Sequence, residues 1–293
     1  MNKLIGLLRL TRPANIVTAI SDIMAGAAIA AFYHSRIEPT SLFWLVLATV
    51  GLYGGGVVFN DVFDAELDRV ERPERAIPIG LITVEEAVLL GSVLLIVGVS
   101  SASFVSLFPS GAIALAIAVA AIVYDKWGKH HAVIGPLNMG LCRGLNLLLG
   151  MSLLGPGVFQ FGYLAIVPVI YISAITMISR GEVHGGKSYT MAVALLLYFV
   201  VMGCILFNSY KNDSLIYCVF FITAFAAMTL PPLLKAMRDP KGKLIGRAVK
   251  AGVLGLILMN AGWASAFGAS FSAVIILLLL PVSILLARLF AVT

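Results

Sequence analysis

Long apolar runs dominate the chain, and short polar stretches separate them. A helix needs about 20 predominantly apolar residues to cross a bilayer core. The runs therefore predict spans near 14–33, 41–60, 84–106, 111–125, 134–154, 159–179, 190–208, 214–234, 250–267 and 271–290. The fourth is short and the last two also read as one broken pair, so nine or ten helices are expected. None of the runs shows the alternating segments of about ten residues that mark a membrane β-barrel. The expected fold is all-α: a polytopic transmembrane helical bundle, with residues 1–293 as one domain.

Composition narrows the choice. Of 293 residues, 60% are hydrophobic and 12% charged, and mean hydropathy is +1.03. Soluble domains carry about 25% charged residues, so 20 Lys+Arg and 14 Asp+Glu are too few to cover one this large. Soluble enzyme folds are excluded, and so is disorder, because Leu, Ile, Val and Phe are abundant. Cys142, Cys204 and Cys218 all fall within apolar runs and read as packing residues, without metal or disulfide spacing. Met1-Asn2-Lys3, followed by Arg9, Arg12 and Pro13, lacks the pattern of a cleavable signal peptide, so the first span is expected to belong to the mature fold.

Basic residues orient the spans, because cytoplasmic connections collect Lys and Arg. Connections of one parity hold Lys3, Arg9 and Arg12, then Arg69, Arg72 and Arg75, then Lys126 and Lys129, then Arg180 and Lys187, and finally six between Lys235 and Lys250. The other parity holds Arg36 and Lys211, while Arg143 and Arg288 lie within spans. Sixteen against two places the N-terminus in the cytoplasm. The net charge of +6 is thereby a topology signal and implies no nucleic-acid partner. The Lys235–Lys250 stretch reads as a contact with the anionic lipid bilayer, and a bacterial cytoplasmic membrane is the default location.

The most informative stretch follows the second span. It reads Asn60-Asp61-Val62-Phe63-Asp64-Ala65-Glu66-Leu67-Asp68 and runs into Arg72-Pro73-Glu74-Arg75-Ala76-Ile77-Pro78, with six of the fourteen acidic residues between Asp61 and Glu74. If the helix continues, Asp61, Asp64 and Asp68 fall at i, i+3 and i+7 on one face. Carboxylates so placed repel each other, and a cation neutralises them. Oxygen ligands with room for water suit Mg²⁺, which commonly binds through one or two carboxylates plus substrate phosphates. Arg72 and Arg75 offer guanidinium forks that match phosphate oxygens. The plain alternative is a solvated cytoplasmic loop of mixed charge.

Asn-Asp-x-x-Asp-x-x-x-Asp followed by x-Arg-Pro-x-Arg-x-Ile-Pro-x-Gly, here Asn60 to Gly80, resembles the first aspartate-rich signature of the UbiA superfamily of intramembrane prenyltransferases. The opening Arg9-Leu10-Thr11-Arg12-Pro13-Ala14-Asn15 resembles that family's entry into its first helix. The resemblance implies a bundle of about nine helices around a central cavity with a cytoplasmic mouth. There Mg²⁺ held by aspartates binds a prenyl diphosphate, which ionises to an allylic cation and alkylates an aromatic or quinone-like acceptor. Carried over, Asp61, Asp64 and Asp68 hold metal, Asp61 and Asp64 act in catalysis together with Glu182, and Asn15, Asn60, Arg72 and Arg75 bind substrate.

After the sixth span the family has a second aspartate-rich motif. Here the chain reads Ser179-Arg180-Gly181-Glu182-Val183-His184-Gly185-Gly186-Lys187-Ser188, with Glu182 its one carboxylate. Glu182 is a candidate ligand for a second metal, and Arg180 and Lys187 are candidates for diphosphate contact; the alternative is a polar turn that has lost the function. The Gly-Glu-Val-His-Gly-Gly segment and the stretch from Tyr124 to Asn146 resemble the branch called EboC-like.

Polar residues inside the runs complete the set. Arg143 and Asn146 share a face of the fifth span, and an intramembrane Arg should face a cavity and a partner. Arg143 is read as a diphosphate or acceptor ligand, or as the structural ion-pair partner of Asp22. Asp22 shares a face with Asn15 and Thr18 and is read as a base, an acceptor contact or that partner. Lys126 and Lys129 snorkel at the surface or steer the diphosphate. Gly140 and Gly144 permit close helix packing, and Asn260 makes an interhelical hydrogen bond. His130 and His131 are adjacent and so do not share a helix face, and His184 lies close to Glu182. Two further functions remain open at this point: a non-catalytic binder of isoprenoid or diphosphate lipid, suggested by the reduced second motif, and a small-molecule transporter.

Overall fold

The structure, a computed structural model, describes residues 3–33 and 37–290; Met1, Asn2 and Arg36 lie outside them. Every regular element among the described residues is helical. Ten long helices follow in order: α1 Pro13–Ala30, α2 Pro39–Phe63, α3 Val84–Val105, α4 Ala112–Lys126, α5 Ile134–Met151, α6 Ile166–Ser179, α7 Ser188–Lys211, α8 Leu215–Arg238, α9 Gly242–Ala266 and α10 Ser270–Leu289. Short helices at Lys3–Leu10, Ala65–Glu71 and Gly155–Phe161 lie between or before them.

Among the described residues, nine helical segments are long and apolar enough to cross a membrane. The tenth, α5, has 18 residues but carries Asn138, Arg143 and Asn146, which lower its hydropathy. It is enclosed by α1, α4 and α6, so its polar residues face protein. The last two spans are separate helices, divided by a turn in which Gly268 takes φ +74°. α9 begins eight residues before the run at 250, because the face carrying Lys243, Arg247 and Lys250 extends it past the apolar stretch.

Sequence signals explain the helix starts. Pro13 and Pro39 stand in the first turns of α1 and α2, where the missing N–H costs nothing. Thr83 and Glu86 form a reciprocal capping box at the start of α3. Within a bilayer, apolar burial does not draw helices together, so small residues and close packing must. A Cβ on Gly140 would lie 2.4 Å from the Val169 carbonyl oxygen, and one on Gly150 would lie 2.4 Å from that of Ile23. These glycines let α5 lie directly against α6 and α1, which sets the depth of the side chains described next.

Helices of alternating direction bring the connections 64–83, 127–133, 180–187 and 239–241 to the same end as residues 3–12. Gly186 N–H donating to the Pro240 carbonyl at 3.0 Å ties two of these connections together. α1 and α9 are the most enclosed helices, while α3 and α10 turn most of their surface outward.

Candidate active site

The polar end of the bundle encloses a cavity of about 340 Å³, and the charged residues on its wall are Arg12, Asp64, Asp68, Glu71, Arg72, Arg75, Lys129, Arg143 and Glu182. The chain builds this mouth by breaking a helix. α2 ends at Phe63, Asp64 turns the backbone (φ −92°, ψ 1°), and the short helix Ala65–Glu71 restarts at once. Backbone bonds from Asp64 N–H to Asn60 and from Asp68 N–H to Asp64 carry the chain across the break, and the three aspartates differ in the cations they meet. Asp61 and Asp68 meet at Arg75, whose Nη1 donates to Asp61 Oδ1 at 3.1 Å and to Asp68 Oδ2 at 2.6 Å. Asp64 pairs instead with Lys129, from the α4–α5 connection.

Arg12 supplies a second guanidinium to Asp61, with Nη2 2.7 Å from Oδ1. It caps α1 with φ +46°, a left-handed conformation that is costly for a non-glycine residue. The side chain is what that position uses: it reaches Asp61 and lines the cavity.

A second lobe of about 220 Å³ continues inward between α2, α4 and α5. The two lobes share Arg12, Tyr53, Asn60, Tyr124, Met139 and Arg143 on their walls. The inner one is largely apolar, with Leu52, Val57, Ile117 and Ala121 along it. Beneath it lies a buried polar network. Arg143 donates from Nη1 to Asp22 Oδ2 and from Nη2 to Thr18 Oγ1, both at 2.7 Å, and stands over the Tyr53 ring at 4.9 Å. Asn146 Nδ2 donates to the same Asp22 oxygen at 3.0 Å, and Asn260 Nδ2 donates to Oδ1 at 2.7 Å. Thr49 donates to Asn146 Oδ1 at 2.8 Å.

The residues expected from sequence thus divide. Asn60, Asp64, Asp68, Arg72, Arg75, Arg143, Asn146 and Glu182 line the cavity. Asp61 is buried directly behind it under its two arginines. Asn15 is buried in α1 and is not on the cavity wall. Lys126 is exposed against the Trp127 ring. Arg180 donates to the Lys129 and His131 carbonyls at 2.7 Å each, which fixes one loop to another, and Lys187 is exposed away from the cavity. Arg143 makes the structural ion pair with Asp22 and also lines the cavity. Asn260 makes the interhelical bond expected of it. Tyr53, Tyr124, Asp125 and Glu71 were not anticipated. Tyr124 and Asp125 end an apolar run beside Lys126, where polar residues ordinarily mark the membrane surface.

Among the described residues no three Asp, Glu, His or Cys side chains converge tightly enough to form a metal cluster by themselves. The donor set still suits a hard cation: every anionic group at the mouth is a carboxylate, and Mg²⁺ takes one or two of these with the remainder from phosphate and water. Burial raises the Asp68 and Glu182 carboxyls from their ordinary values. Arg75 opposes the shift at Asp68, and Arg72 and Arg12 oppose it at Glu182.

A model of the UbiA prenyltransferase family matches residues 21–244. Digeranylgeranylglyceryl phosphate synthase of Saccharolobus solfataricus is 26% identical over 246 residues, covering 76% of this chain and 84% of that protein. The synthase of the same name from Sulfolobus acidocaldarius is 31% identical over 218 residues, covering 69% and 76%. Two solved structures share the fold. One, of digeranylgeranylglyceryl phosphate synthase, has a TM-score of 0.66 at 21% identity and covers 92% of this chain and 100% of its own. The other, a UbiA homolog from Archaeoglobus fulgidus bound to DMAPP and Mg²⁺, has a TM-score of 0.64 at 14% identity and covers 91% and 99%. The match over most of the chain, on a fold shared from end to end, makes this chain an integral membrane member of the UbiA prenyltransferase family.

Proposed function

We propose that the chain transfers a prenyl group from a prenyl diphosphate, with Mg²⁺, to an oxygen-bearing acceptor of the glyceryl phosphate class, working from the cytoplasmic face. The observation that carries this reading is the two-part cavity: a mouth of interleaved carboxylates and cations opening into an apolar lobe. Such a wall suits a ligand with a polyanionic head and a hydrocarbon tail. The relatives, digeranylgeranylglyceryl phosphate synthases, favour a glyceryl phosphate acceptor over the aromatic or quinone-like one expected from sequence. The surplus of basic residues at the mouth end supports a cytoplasmic N-terminus.

Asp64, Asp68 and Glu182 would hold the metal, with Asp61 aligning Arg12 and Arg75 behind them. When bound, Mg²⁺ supplies charge neutralisation for the departing diphosphate. Arg72, Arg75 and Lys129 bind the phosphate oxygens, and two of them move onto substrate from carboxylates they contact in the structure. The apolar wall excludes water from the allylic end. Arg143, held by Asp22 and Thr18 at the junction of the lobes, orients the acceptor oxygen.

Purified chain in nanodiscs, given geranylgeranyl diphosphate and Mg²⁺, should release diphosphate faster when geranylgeranylglyceryl phosphate is added. Tight Mg²⁺-dependent binding with no release, for that acceptor and for an aromatic panel alike, would establish the non-catalytic alternative. The raised Asp68 and Glu182 carboxyls add a pH prediction. Both protonate at a higher pH than ordinary carboxylates, near 4, so the Mg²⁺ concentration for half-maximal activity should climb as pH falls while still above that range. A Mg²⁺ requirement flat down to pH 4 would remove these two groups from the metal site.

A further inference from the structure

Four aspartates are buried: Asp22, Asp61, Asp68 and Asp125. The first three each hold a guanidinium, at 2.7 Å from Arg143, 2.7 Å from Arg12 and 2.6 Å from Arg75 respectively. Asp125 differs. It is 3% exposed, and among the described residues no lysine or arginine nitrogen stands at ion-pair distance from it. Its hydrogen-bond partner is Asn60, whose Nδ2 donates to Oδ1 at 2.9 Å. An ionised carboxylate buried without a cation is expensive, and such groups gather where function requires them.

Its place is specific. Three charged residues line the inner lobe, Arg12, Arg143 and Asp125, and Asp125 alone is negative. It stands in the last turn of α4, beside Tyr124, which lines both lobes, and bonded to Asn60, which does the same. With a diphosphate at the mouth and a prenyl tail in the inner lobe, the carbon joining them lies at this junction.

We propose that Asp125 is the carboxylate facing the reacting carbon: it stabilises the positive charge developing there and takes the proton that the acceptor releases. This rests on the reading of the cavity as a prenyl diphosphate site. In the step, the C1–O bond breaks and its electron pair leaves with the diphosphate. The acceptor's nucleophilic oxygen forms the new bond to C1, and its proton passes to Asp125, then to water at the mouth. Arg143 and Arg12 are already paired with Asp22 and Asp61, so Asp125 is the one carboxylate on the lobe's wall left to face a developing cation.

The test uses two ligands and two variants, Asp125→Asn and Asp125→Glu. Geranyl thiolodiphosphate with Mg²⁺, which does not ionise, should bind wild type and both variants within about twofold, which also shows that they fold. A tertiary-amine analogue of the geranyl cation with inorganic diphosphate should bind Asp125→Asn about tenfold more weakly than wild type, with Asp125→Glu between them. Turnover of geranylgeranyl diphosphate with geranylgeranylglyceryl phosphate should lose about 100-fold in kcat for Asp125→Asn at unchanged KM. Equal amine binding by wild type and Asp125→Asn would overturn the proposal. So would a raised Mg²⁺ requirement for thiolodiphosphate binding in Asp125→Asn, which would make Asp125 a metal ligand. If wild type binds neither ligand, it is the prenyl diphosphate reading that fails, and this proposal with it.

Discussion

Asp64→Ala is expected to lower Mg²⁺-dependent prenyl transfer by about 100- to 1000-fold, the range seen when one charge-stabilising group is removed from an active site, and to lower the melting temperature less than Asp61→Ala does. Asp64 and Lys129 pair on the cavity wall, where their side chains are 18% and 12% exposed. Both side chains line the open mouth, so the lysine left behind can still turn to water, and the loss should stay below the roughly 3–5 kcal/mol of a fully buried broken pair. Asp61→Ala should read differently. Asp61 lies behind the wall and accepts from both Arg12 and Arg75, so its removal leaves Arg12 without a carboxylate and loosens Arg75, which retains only Asp68. Activity and melting temperature should then fall together. Diphosphate release and thermal melts on the two variants in the same nanodiscs separate these outcomes. Full turnover by Asp64→Ala would remove the first motif from the chemistry.

Much of this architecture is legible in the sequence because the bilayer allows so few solutions. Apolar runs of about 20 residues give the helices, and the parity of Lys and Arg gives their common polar end. The side-chain geometry is less legible. Spacing puts Asp61, Asp64 and Asp68 on one helical face but does not say which cation each meets: Asp61 and Asp68 share Arg75, while Asp64 meets Lys129, 65 residues away. Arg180 and Lys187 resemble phosphate ligands by type, but the turn around Gly181, Gly185 and Gly186 carries one to loop carbonyls and leaves the other outside. Asp125 sits next to Lys126 at a run's end, where a surface pair is the ordinary reading. Its contact with Asn60, from another helix, is what sets it apart, and no local pattern announces that contact.

Asp22, a carboxylate buried to 1% exposure, should dominate stability rather than turnover. Asp22 accepts three side-chain donors, from Arg143, Asn146 and Asn260, which belong to two helices packed against α1. Asp22→Ala leaves a buried guanidinium without a counter-charge, a loss of about 3–5 kcal/mol for one broken buried pair. That is a large share of a total margin of about 5–15 kcal/mol, so folded protein should melt far below wild type or fail to accumulate. Replacing both partners is expected to be milder. Asp22→Leu with Arg143→Met removes the stranded charge together with its counter-ion, and such exchanges are often neutral or stabilising. The double variant should therefore recover much of the lost melting temperature. Because Arg143 also lines the cavity, it should still show a raised KM for the acceptor while binding geranyl thiolodiphosphate normally. A double variant no more stable than Asp22→Ala would mean that the network is held by its neutral hydrogen bonds. A double variant with wild-type acceptor kinetics would leave Arg143 a purely structural residue.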